Sequence, residues 1–191
     1  MALAGPLRSP EVIDRRRIEL VEIGSPGGVQ PYHAARNLEL PKAEKFIEGV
    51  IAASDRAALV AVRAVAKAVR SKGQHIAGCG IVMASGRHLP GLEATLRSHA
   101  MVHTAEGELY RGAIFRAAIT CGWPCVRIRE REIYELASAR LRIPETKLKV
   151  RVTSMGDMIG SPWSADEKCA TLAAWLSQAD LANGAHSKAD F

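Results

Sequence analysis

His99, His103, Glu106 and Tyr110 recur at intervals of four, three and four residues inside a long helical pattern. At 100° per residue they fall within roughly 60° of one another on a helical wheel. Leu92, Leu96, Val102, Leu109, Ala113, Ile114 and Ala117 surround that direction, whereas Glu93, Arg97, Thr104, Glu108 and Arg111 point the other way. Four polar groups in an apolar stripe must find partners or line a cavity. Histidines at i,i+4 offer two imidazoles to one metal ion, and a carboxylate one turn later could complete a three-ligand set. The same groups could work without metal, with His99 or His103 as general base and Glu106 orienting it. They could also satisfy one another as a buried polar network. Between the histidines stand Ala100-Met101-Val102, so the glutamate of an H-E-x-x-H metalloprotease is missing.

Other candidates are weaker. Ser85, Arg87 and His88 follow an apolar run, where a loop at a strand's carboxyl end could hold a small anion. Tyr110 joins them as a possible ligand-binding residue. Asp166 and Glu167 follow Ser164, and acidic residues in the first turn suit the helix dipole without any catalysis. His33, beside Pro31-Tyr32, and His186 carry no local argument. Trp123 and Trp175 read as core or interface fillers. Cys121 and Cys125 have three residues between them, which is neither redox nor zinc-pair spacing. With Cys79 and Cys169 they are expected as reduced core thiols.

These groups need a scaffold. Residues 1–15 hold two prolines and a glycine without periodicity and are expected as a mobile arm. Arg17 to Gly24 alternates like an edge strand, which leaves a sheet edge through which the chain could dimerise. Pro41 opens a helical pattern, and Ala57–Val69 forms another, with Ser54-Asp55 as a cap or bend between them. Gln74–Ala84 is near-continuously apolar, as a buried central strand would be. The histidine helix follows and stops at Gly122-Trp123-Pro124. A short strand at Cys125–Ile128 and a helix over Glu130–Leu141 come next. Residues 144–153 are ambiguous, with a lean to helix, and Ser164 caps a last helix. Residues 16–182 thus form a single α/β domain, and 183–191 a frayed tail.

Composition narrows the classes. The 191 residues are 48% hydrophobic and 24% charged, ordinary for a globular protein. No apolar run approaches a membrane span and no secretory leader is evident, so a cytoplasmic, non-membrane protein is expected. The net charge of +6 is concentrated in part at Arg127, Arg129, Arg131, Arg140, Arg142, Lys147, Lys149 and Arg151. Glu130, Glu132, Glu135 and Glu145 offset half of these, leaving a balance that permits nucleic-acid partners.

From Gln74 onward the layout resembles Holliday-junction resolvases of the RuvC type, in the ribonuclease H-like superfamily. Gly122-Trp123-Pro124-Cys125-Val126 resembles the short strand after that family's G-x-P turn. Lys147, Val150 and Val152 followed by Met158-Ile159-Gly160 resemble its K-x-x-V helix, and Pro162 to Leu172 its last segment. The resemblance implies a three-layer α/β fold with a mixed sheet and long flanking helices. It also implies two-metal phosphodiester hydrolysis by four carboxylates. This chain departs there. Ile81, Val82 and Met83 stand where a strand carboxylate is required, and Asp166 is the main acidic match. The expectation is a degenerate member that binds a ligand or partner without nuclease activity. A metal- or acid/base-dependent hydrolase at His99, His103 and Glu106, and a basic nucleic-acid-binding module, remain alternatives.

Overall fold

The computed structural model describes residues 1–21, 24–84 and 88–182. In chain order these hold β1 (Ala2–Ala4), β2 (Glu11–Asp14), α1 (Pro31–Ala35), α2 (Leu40–Arg70), β3 (Cys79–Met83), α3 (Leu92–Arg97) and α4 (His99–Thr120). After these come β4 (Cys125–Arg129), a 3₁₀ turn at Glu130–Glu132, α5 (Ile133–Leu141), α6 (Glu145–Ile159) and α7 (Ala165–Ala182). The chain is thus a mixture of helices and small sheets. Of the mixed sheet that the resemblance implies, the described residues hold a parallel pair, β3–β4, and a separate antiparallel pair, β1–β2. No described helix is long and apolar enough to cross a membrane.

The main core gathers Ile128 of β4, Ile133 and Ala137 of α5, Leu148 and Val152 of α6, and Leu172, Ala173, Trp175 and Leu176 of α7. Ambiguous residues 144–153 fall in α6, because Leu148 and Val152 at i,i+4 both enter this core. At Gly80 the strand β3 lies directly on α7, where a Cβ would overlap the backbone carbonyl of Ala173. That contact explains a glycine in a strand. The strand itself is shorter and wetter than its sequence suggests: only Ile81 is fully buried, and residues 74–78 are irregular. The α7 capping box forms as expected, with the Ser164 N–H donating to Glu167 Oε2 at 2.7 Å and the Glu167 N–H to Ser164 Oγ at 3.4 Å.

Three expectations need correction. Residues 1–15 carry β1 and β2 in place of an unstructured arm, while residues 17–21 form no strand. Strands of three and four residues are too short to show alternation. Distant donors fix them: Trp175 Nε1 bonds the Leu7 carbonyl at 2.8 Å, and Gln178 Nε2 bonds that of Gly5 at 2.7 Å. Second, the two helices expected around Ser54-Asp55 are one 31-residue helix, α2. Ser54 is buried, and Asp55 takes a two-pronged bond from Arg116 of α4 at 2.7–3.0 Å instead of capping. Third, the histidine helix begins at His99, since Ser98 is extended and accepts the Met101 N–H as its N-cap. The expected frayed tail lies outside the described residues.

Small residues let α2 and α4 approach closely: Ala58 and Val62 meet Ala113 and Ala117. That buried contact, not the Arg116–Asp55 pair at its rim, holds the helices together. Arg116→Ala should lower stability in thermal unfolding by about 1 kcal/mol or less, the scale of a partly exposed ion pair.

Candidate metal centre

The site forms where α1 crosses the start of α4. Gly27, at φ 78°, makes the turn that delivers the chain to Pro31. A Cβ there would come within 3.1 Å of the Pro31 Cα and 2.9 Å of the Phe46 ring, so glycine is required. Pro31, in the first turn of α1, supplies a preset φ. A small cluster of Ala35, Ala43 and Ile47, with Tyr32, Phe46, Leu92 and Leu96 packed around it, then seats α1 against α2 and α3. These contacts turn His33 toward α4.

On α4, His99 opens the first turn and His103 lies one turn on, so their rings meet edge-to-face with centroids 4.5 Å apart. The two Nε2 atoms stand 3.2 Å apart. Metal–nitrogen bonds of 2.0–2.1 Å at a tetrahedral angle put two ligand nitrogens about 3.3 Å apart. The His33 ring lies 4.7 Å from His103 and 5.5 Å from His99, centroid to centroid. One nitrogen of each of the three imidazoles lies within 4.8 Å of those of the other two. His99 and His103 are exposed and His33 is half-buried.

Glu106 stands behind this trio. It is only 7% exposed, and its Oε1 accepts both the His33 backbone N–H at 3.2 Å and His33 Nδ1 at 3.0 Å. Its Oε2 lies 3.9 Å from His103 Nδ1. A carboxylate at Nδ1 fixes the proton there and leaves Nε2 of His33 with its lone pair free. Two phenols complete the surround. Burial, and after it the negative charge of Glu106, push the Tyr32 and Tyr110 hydroxyls above the ordinary tyrosine value. Tyr110 also donates to the Val29 carbonyl at 3.2 Å, tying the loop before α1 to α4. Between Tyr32, Ile47, Leu92, Thr95 and Ala105 a cleft of about 310 Å³ opens beside the site, with Glu44 and Glu48 on its lining.

The stripe seen in the sequence is therefore half right. It brings His99, His103 and Glu106 together, but the carboxylate bonds a third histidine and is not itself in the ligand cluster. His33 is the residue that sequence reasoning missed. Pro31 before it is compatible with a helix start, a signal not taken up, and nothing local says which element such a helix meets 73 residues later. His99 and His103 are exposed, and Glu106 is the buried member of the group.

The remaining candidates lie elsewhere. Ser85 and Arg87 fall outside the described residues, and His88 is exposed. Asp166 is in the first turn of α7, on a different element from the trio. The basic stretch is threaded with internal partners. Arg127 lies 4.9 Å over the Phe115 ring, Arg129 and Arg131 share Glu132, and Arg140 meets Asp180 at 2.5 Å. Lys149 reaches Glu145 and Tyr134, and Arg151 donates to the Arg8 carbonyl. No family model, curated protein or solved structure matches this chain.

Proposed function

We propose that this protein binds one divalent transition-metal ion through His33, His99 and His103, with Glu106 orienting His33. The observation that carries the reading is the convergence of three imidazole nitrogens within 4.8 Å, two of them on exposed rings. All-imidazole donors suit zinc and its neighbours in the first transition row and not magnesium or calcium. Three protein ligands leave a fourth position for water, as in catalytic rather than structural zinc sites. A bound ion there would lower the pKa of its water to about 7, which supplies a nucleophile for hydrolysis. The chain's own contribution is to hold the His33 tautomer through Glu106 and to set Tyr32 and Tyr110 beside the carboxylate. A metal-dependent hydrolase is the reaction class this supports.

The test is zinc titration of metal-stripped protein by calorimetry. One equivalent is expected, with His33→Ala and His103→Ala each weakening binding at least tenfold. No uptake at micromolar zinc, or uptake that ignores both substitutions, overturns the proposal. The reading of a ribonuclease H-like domain without nuclease activity has two observations in its favour. β3 and β4 pair in parallel across intervening helices, and β3 carries no carboxylate.

A further inference from the structure

Cys79 and Cys125 are separated widely in sequence, yet the register of the parallel pair sets them directly opposite each other. Neighbouring strands lie about 4.8 Å apart, and residues in direct register project to the same face. That separation falls inside the ~4.4–6.8 Å range of Cα distances that a disulfide spans. We propose that Cys79 and Cys125 form a two-electron redox site, converted to a disulfide by a small hydroperoxide.

The register places the two thiols side by side, and their surroundings differ. The hydrogen bond from Cys125 holds the Cys79 thiol below its ordinary value, while the same bond and burial push Cys125 up. Cys125 Sγ also lies 3.4 Å from the Trp123 carbonyl oxygen, which gives its proton a second acceptor. The proposal takes Cys79, the thiol whose value is lowered, as the nucleophile and Cys125 as the resolving thiol. Cys79 further lines a cavity of about 410 Å³, together with Asp14, Arg16, Trp123 and Ser177. The proposal brings the hydroperoxide to Cys79 through that cavity.

The chemistry balances without a further reactant. The Cys79 thiolate attacks the terminal oxygen of the peroxide, and the O–O bond breaks. The sulfur takes that oxygen as sulfenic acid, and the other oxygen leaves once protonated, as water from hydrogen peroxide or as an alcohol from an organic hydroperoxide. Cys125 Sγ then attacks the Cys79 sulfur, the S–O bond breaks, and the sulfenic oxygen leaves as water. Two thiols are oxidised and one peroxide is reduced. This site is independent of the histidine trio and shares no residue with it.

The experiment treats the reduced full chain with hydrogen peroxide and counts free thiols, followed by non-reducing peptide mapping. The chain has four cysteines, and two titratable thiols are expected to remain. Peptides holding Cys79 and Cys125 should appear linked, with a loss of about 2 Da for the two hydrogens removed. In Cys125→Ser, a dimedone adduct should accumulate on Cys79. Retention of all four thiols, or a link that joins Cys121 to Cys125, overturns the proposal. The wild-type map alone decides it should Cys125→Ser fail to fold.

Discussion

A Glu106→Ala variant binds zinc about 10–100-fold more weakly than the parent chain, the range seen when the carboxylate behind a ligating histidine is removed. The loss arises although Glu106 need not touch the ion. Its Oε1 holds His33 at both the ring Nδ1 and the backbone N–H, so alanine frees the ring to rotate and to change tautomer. It also leaves two donors without a partner in a half-buried place, at roughly 1–3 kcal/mol of apo stability. Glu106→Gln separates the two effects. The amide oxygen can still accept from His33, so apo stability should largely return in denaturant unfolding. Zinc affinity should recover only in part, since a neutral amide makes the imidazole a poorer donor than a carboxylate does. Competition against a chromophoric chelator reads the affinity. Equal affinity in Glu106→Ala and parent would remove Glu106 from the centre.

Gly80→Ala loses about 3 kcal/mol or more in urea unfolding, at or beyond the upper end of ordinary overpacking. The obstruction is what makes it large. A new methyl at Gly80 meets the backbone of Ala173 in α7, not the end of a side chain that could swing aside. Either β3 or α7 must move, and both border the main core through Val82, Leu172 and Leu176. Gly91→Ala, where a Cβ would meet nothing within 4 Å, is the control for added bulk and should cost no more than about 1 kcal/mol, the scale of alanine at the N-cap of α3.

How much of this could be read from the chain depends on whether the deciding force is local. The capping box at Ser164 and the strand at Cys125 are set by neighbours in sequence, and both are where the pattern places them, whereas residues 144–153 stay ambiguous until the core takes in Leu148 and Val152. The unbroken α2 is not, because Ser54-Asp55 carries a sound cap signal that Arg116 overrides from another helix. The β1–β2 pair is invisible for the same reason, being fixed by Trp175 and Gln178 of α7. At the candidate site the i,i+4 histidines and Glu106 were legible from helical spacing. His33 was not, since its partner comes from a separate helix and no pattern on α1 encodes it.

The proposed third ligand rides on a short element. α1 has five residues, too few for a helix to stand alone, so it keeps its shape only while docked. Two imidazoles on α4 are always on offer, but the full set exists only in the fraction of molecules whose α1 is seated. The apparent dissociation constant is therefore the intrinsic one divided by that fraction. Substitutions in the seat at Ala35, Ala43 or Ile47, none of them a ligand, would tune affinity through population alone. By the same linkage, an ion at the site is a clamp on the first helix of the chain.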